Sequence, residues 1–189
     1  MASNRRISTQ DSEIRSELIE AARRLIEEEG CAAVTARRLA DAVSLKRQIV
    51  HYYFRTIEDV FVAVVRREGE ERKKRLAQQL EEDHPLRVVW RFTSNATPMT
   101  FELIAKSFRS EAVREEMRRY WEDFRVISTE ALERYVERHS LRLKTPPIAA
   151  VTITLSLSQA LTVEEILGIS SGHTESHAAI EEWLLTLEA

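Results

Sequence analysis

Cysteine, glycine and proline are all scarce in this chain. Cys31 is the one cysteine among 189 residues, so no internal disulfide can form and a disulfide scaffold is excluded. Four glycines and four prolines leave little loop material, which excludes collagen-like and low-complexity disordered sequences. Neither sign of charge dominates: 28 Lys and Arg against 31 Asp and Glu give −3 at pH 7. Bulk charge therefore announces no nucleic-acid partner, and any basic surface must be local. The N-terminus, Met1 to Asp11, holds two arginines in place of an apolar signal core, which predicts a cytoplasmic chain.

Long apolar runs are also missing, with one exception. From Pro146 to Val163, eighteen residues pass without a charge, close to the length that crosses a bilayer. Thr152, Thr154, Ser156, Ser158, Gln159 and Thr162 would place polar groups all around such a helix. That pattern suits a helix buried between protein surfaces and not a membrane span. Strand alternation, internal repeats, a Gly-rich phosphate loop, a Gly-x-Ser-x-Gly elbow and a Cys-x-x-Cys pair are absent as well. No enzyme and no cofactor is expected.

What is present is helical periodicity, supported by abundant Ala, Leu, Glu and Arg. Ile14, Leu18, Ala21, Ala22, Leu25 and Ile26 share one face of a first helix that Gly30 stops. Thr35 can N-cap a short helix holding Leu39 and Ala40 inward. After Ser44-Leu45 a second short helix, Lys46 to Tyr53, offers Ile49, Val50, Tyr53 and Phe54 for packing. Thr56 with Asp59 resembles a capping box and opens a helix that can continue towards Leu80. Beyond His84-Pro85 aromatic residues become denser, and a long stripe runs from Val113 to Tyr135. Helices near 146–167 and 173–188 complete an all-α chain of about nine helices. The division predicted is 1–60 for an N-terminal three-helix unit and 61–189 for a C-terminal helical domain.

Two short helices joined by a tight turn and braced by longer ones are the parts of a helix-turn-helix module. Between Arg37 and Arg55 five basic residues (Arg37, Arg38, Lys46, Arg47, Arg55) face one acid, Asp41. Such a cationic face suits phosphate. In the second short helix Arg47 can grip a guanine edge, Gln48 an adenine edge, and Ile49 a thymine methyl. His51, Tyr52 and Tyr53 offer donors to phosphate. Without DNA, the same features describe a solvated basic helix in a bundle that serves as a protein-interaction adaptor or a small-molecule-binding protein.

The run from Thr35 to Asp59, within a stretch from Ala21 to Val60, resembles the N-terminal signature of TetR-type transcriptional regulators. The resemblance implies a homodimeric, cytoplasmic repressor that binds a palindromic double-stranded operator and is released by a small-molecule effector. It implies that Thr35 and Arg37 touch DNA and that Arg47, Gln48, Ile49 and His51 face bases. Lys46, Tyr52 and Tyr53 then meet phosphates, while Leu39, Leu45, Val50 and Phe54 form the module's small core. Two positions depart from the pattern: Ser44 stands where a turn glycine is usual, and Ile57 where a lysine commonly aims at phosphate.

The resemblance further implies an effector cavity, for which Trp90, Phe101, Phe108, Met117, Tyr120, Trp121 and Phe124 are the candidates; the same residues could instead fill a solid core. Val151, Leu155, Ser158, Thr162, Ile180, Trp183, Leu184 and Leu187 are the candidates for the dimer interface. His173 and His177, four apart, have metal-ligand spacing, with Glu175 and Glu181 nearby. Two imidazoles at the polar start of a helix read as solvated surface, so no metal is expected. Cys31, with no paired cysteine, reads as packing, a redox thiol being the alternative.

Overall fold

The computed structural model describes the backbone of residues 2–94 and 97–186 and the side chains of 11–94 and 97–184. Among the described residues the secondary structure is helical throughout. The α-helices are α1 (Ala2–Glu29), α2 (Ala36–Ala42), α3 (Arg47–Tyr53), α4 (Ile57–Glu82), α5 (Pro85–Ser94), α6 (Pro98–Ser107), α7 (Glu111–Arg138), α8 (Pro147–Ile166) and α9 (His173–Thr186). A short 3-10 turn, Cys31–Ala33, lies between α1 and α2. The all-α class expected from periodicity is the class observed.

Two compact units divide the chain: residues 1–70 with 97–119, and residues 71–96 with 120–189. The helices α4 and α7 each begin in the first unit and end in the second.

In the first unit, Leu18, Ala21, Ala22, Leu25 and Ile26 of α1 are buried at the spacing the sequence shows. α1 packs on α2, on the 3-10 turn and on α6, and α2 packs on α3. Leu39, Ala40, Val50, Phe54, Val60, Phe61 and Val64 are also buried. One buried charge is paired: Glu116 on α7 receives Nε of Arg66 at 3.0 Å and its Nη2 at 2.7 Å. The helical stretch before Ile14 has no apolar period to announce it, and α6 is announced only by Thr97-Pro98, with proline in its first turn.

In the second unit, α5 packs on α8 and α9. Leu86, Trp90, Leu132, Ala150, Val151, Ile180 and Leu184 make one cluster, with Trp183 against it. Leu76, Leu80, Val88, Val89, Phe124, Ala131 and Leu155 make another, flanked by Phe92, Trp121 and Ile127. The α8 hydroxyls are used inside: Ser158 Oγ lies 3.0 Å from the Trp90 carbonyl, and Thr162 Oγ1 donates to the Ser158 carbonyl at 2.9 Å. By length and composition alone α8 could cross a membrane, with a mean hydropathy of 1.2. Its inner face is that of a core helix.

Several dimer candidates require correction. Val151 (0% exposed), Leu155 (1%), Ser158 (1%) and Thr162 (4%) are interior residues of this chain, as are Ile180 and Leu184, and offer no surface to a partner. Leu187 lies outside the described residues. The open side of α8 instead carries Ile153 (42%), Leu157 (40%) and Val163 (39%), followed by Ile166, Leu167 and Ile169. A helix apolar on both sides gives no periodic signal of which side is inward.

Candidate nucleic-acid interface

Local chemistry builds the two-helix module. Thr35 N-caps α2, its Oγ1 accepting from the Arg38 amide at 3.2 Å. α2 ends in a Schellman turn: the Ser44 amide donates to the Asp41 carbonyl (3.2 Å) and the Leu45 amide to the Ala40 carbonyl (2.9 Å). This geometry puts Ser44 at φ 55, the left-handed region in which glycine is favoured. The reversal lets α3 begin only a few residues later, with Lys46 as N-cap.

On α3 the side chains separate by helical period. Val50 and Phe54 are buried and Ile49 and Tyr53 half-buried, whereas Arg47, Gln48, His51 and Tyr52 are exposed, Tyr52 to 72%. Arg47 with His51 and Gln48 with Tyr52 stand four apart, so the exposed four form one outward face. Beyond α3, Thr56 and Asp59 close a reciprocal capping box on α4: the Thr56 amide donates to Asp59 Oδ2 (2.9 Å) and the Asp59 amide to Thr56 Oγ1 (3.2 Å). Glu58 and Asp59 thus occupy the positive end of α4.

The basic residues differ in how free they are. Arg38 forks onto Glu29, with Nη1 at 2.8 Å from Oε2, and that hydrogen bond holds the Glu29 carboxyl below its ordinary range. Arg37 makes a loose pair with Asp41 at 3.8 Å, both well exposed. Among the described residues, Lys46, Arg47 and Arg55 make no ion pair. Tyr53, a candidate phosphate donor, is otherwise engaged: its hydroxyl donates to Asp11 Oδ1 at 2.9 Å. Local burial, with Asp11 second, raises its pKa. Nothing in the sequence links Asp11 to Tyr53, because 42 residues separate them.

The aromatic candidates divide between the units. Phe101, Phe108 and Met117 lie in the first, and Trp90, Tyr120, Trp121 and Phe124 in the second. Phe108 is 77% exposed. Trp90 belongs to one packed cluster and Phe124 to the other. Tyr120 and Trp121 meet edge-on at 5.0 Å, and Trp121 meets Phe124 at 5.9 Å. Those two, Tyr120 and Trp121, are half-buried and keep some surface. A cleft of about 430 Å³ in the second unit is lined by other residues, among them Asp83, His84, Arg87, Tyr135 and His139.

Cys31 does not suit the thiol alternative. Burial first, then Glu102, pushes its pKa up to about 12, so thiolate is negligible at neutral pH. Its backbone amide donates to Glu102 Oε2 at 2.9 Å, fixing the 3-10 turn against α6.

The comparisons with known proteins agree with this geometry. Residues 18–64 match the family model described as bacterial regulatory proteins, tetR family. No curated protein matches the sequence. Among solved structures, a TetR transcription regulator from Haloarcula marismortui superposes with a TM-score of 0.77 at 16% identity, covering 94% of this chain and 100% of that one. NemR of E. coli, in its reduced form, gives 0.76 at 20% identity over 90% and 97%. A putative transcriptional regulator from Saccharomonospora viridis, in complex with choline, gives 0.71 at 16% identity over 88% and 93%. Residues 18–64 thus match the N-terminal model of the tetR family, and the chain as a whole shares the fold of these solved regulators.

Proposed function

We propose that this chain is a sequence-specific DNA-binding repressor that acts as a homodimer in the cytoplasm and is released from its operator by a small molecule. The observation that carries the reading is the outward face of α3: Arg47, Gln48 and His51 are exposed on a helix whose other side is anchored by Val50 and Phe54. Arg47 matches the two acceptors of guanine, and Gln48 the donor and acceptor of adenine. Thr35, Arg37, Lys46, Ile49 and Tyr52 surround them as further contacts. Tyr53 serves better as a brace, through Asp11, than as a phosphate donor.

The apolar side of α8, with Ile153 and Leu157, supports a twofold partner. Trp183, half-buried on α9, remains a candidate at the same interface. A helix-turn-helix dimer places its half-sites about 34–36 Å apart, so a partly palindromic operator follows. An effector contacting Tyr120 and Trp121 in the second unit would act by favouring a conformation that no longer fits that spacing, with α4 and α7 as the continuous connections. By linkage, DNA then weakens effector binding by the same factor.

The test is selection of bound sequences from random duplexes, followed by a screen for small molecules that release the enriched site. Enrichment of an inverted repeat is the expected result. A helical adaptor or a plain ligand-binding protein would enrich nothing and would show no salt-sensitive retention on DNA.

A further inference from the structure

The start of α9 and the end of α8 bring together side chains that the sequence spaces apart. His173 is 7% exposed, not solvated as its place in the sequence suggests. The carboxylates that meet it are Glu164 and Glu165 of α8, not Glu175 or Glu181. His173 Nε2 lies 2.9 Å from Glu164 Oε2. Its other ring nitrogen, Nδ1, lies 3.7 Å from Glu165 Oε1, and His177 Nε2 lies 3.8 Å from the same oxygen. One ligand atom from each of Glu165, His173 and His177 falls within 4.8 Å of the others.

We infer that Glu165, His173 and His177 form a binding site for a divalent transition-metal ion of the zinc class, with Glu164 as its positioning residue. Bonds of about 2.0–2.2 Å in a tetrahedron place neighbouring donors roughly 3.3 Å apart. Two of the three separations here exceed that by only a few tenths of an ångström. Glu164 supplies the orienting contact such sites have: a carboxylate that accepts the Nε2 proton of His173 leaves the Nδ1 lone pair facing Glu165. Two neutral imidazoles and two carboxylates balance a doubly charged ion. The negative end of the α8 dipole offsets the positive end of α9. His177 and Glu165 are partly open, which leaves entry for the ion and a fourth position for water. Imidazole nitrogen selects against Mg²⁺ and Ca²⁺, which prefer all-oxygen sites.

Such an ion ties α8 to α9 across the turn 167–172, next to Ile166, Leu167 and Ile169, three exposed apolar residues. The site stands independently of DNA binding, and its test reads metal alone. Untagged full-length protein, stripped with chelator, is titrated with Zn²⁺ by calorimetry and with Co²⁺ by visible absorption. One ion per chain, a tetrahedral Co²⁺ spectrum and no response to Mg²⁺ are expected. His177→Ala and Glu165→Gln, both at partly exposed positions, should abolish uptake while leaving the helical circular dichroism intact. Glu164→Gln should keep the stoichiometry and weaken affinity by about 10–100-fold. Absence of stoichiometric Zn²⁺ uptake, or uptake that survives both His177→Ala and Glu165→Gln, would overturn the assignment.

Discussion

Replacing Ser44 with glycine should stabilise the first unit. At φ 55 Ser44 sits where an L side chain crowds the following carbonyl, at a cost of about 1–2 kcal/mol. Glycine removes this cost but loses more backbone freedom on folding, which returns roughly 0.5–1 kcal/mol. The Ser44 side chain is exposed, so little packing is lost. The midpoints of these two ranges leave a net gain of about 0.75 kcal/mol, or roughly 1.5–3 °C in the unfolding midpoint of a chain this long. Ser140 provides an internal control, since it occupies the same Schellman position after α7 at φ 53, in the second unit. All three tryptophans, Trp90, Trp121 and Trp183, lie in that second unit, so their fluorescence follows Ser140→Gly. Hydrogen exchange of the Phe54 amide, which donates to the Val50 carbonyl, follows Ser44→Gly. Ser44→Ala, which keeps the strain, should gain nothing. Faster exchange at Phe54 in Ser44→Gly than in the parent would refute the left-handed turn.

Four further substitutions probe the contacts of Tyr52 and Tyr53, of Asp83 and of the open side of α8. Tyr52→Phe should weaken operator and random DNA alike if its hydroxyl meets phosphate; Tyr53→Phe should instead cost about 1 kcal/mol of stability by orphaning Asp11, and an equal loss of DNA affinity in both would contradict the distinction. Asp83 accepts the His84 amide at 2.7 Å and pairs with Arg91, which together hold its pKa below the ordinary 3.8. A depressed folded-state pKa adds stability that is present above the unfolded value and is lost as pH falls through the folded one. The stability gap between parent and Asp83→Asn should thus be constant near neutrality and close below about pH 4; a gap that persists in acid would exclude this contribution. Leu157→Glu, on the open side of α8, should convert the proposed dimer to a monomer in sedimentation velocity, and an unchanged sedimentation coefficient would remove that face from the interface.

What the sequence displays depends on whether a side chain's neighbours are close in sequence. Thr35, Thr56 with Asp59, and the period of Leu18 to Ile26 act within a turn or two of themselves, so caps and buried faces in the first unit are legible. The outward position of Arg47, Gln48 and His51 follows from the same period once Val50 and Phe54 are set inward. The inward side of α8 is not legible, because Val151 and Ile153 are equally apolar and only contact with α5 decides between them. The Tyr53–Asp11 bond and the convergence of Glu164 and Glu165 on His173 depend on where whole helices lie. Periodicity carries no information about that. Trp90 and Phe124 are a similar case: their spacing fits a cavity wall or a packed interior equally well, and only the placement of whole helices puts each in its buried apolar cluster.

Affinity of the Arg47→Ala and Gln48→Ala variants for the selected operator and for random duplex, at one fixed salt concentration, tests the central claim most directly. Each substitution should cost about 1–3 kcal/mol on the operator, roughly 5- to 150-fold, with a much smaller change on random DNA and relaxed preference at one base pair. Full operator preference in both variants would contradict a reading face on α3.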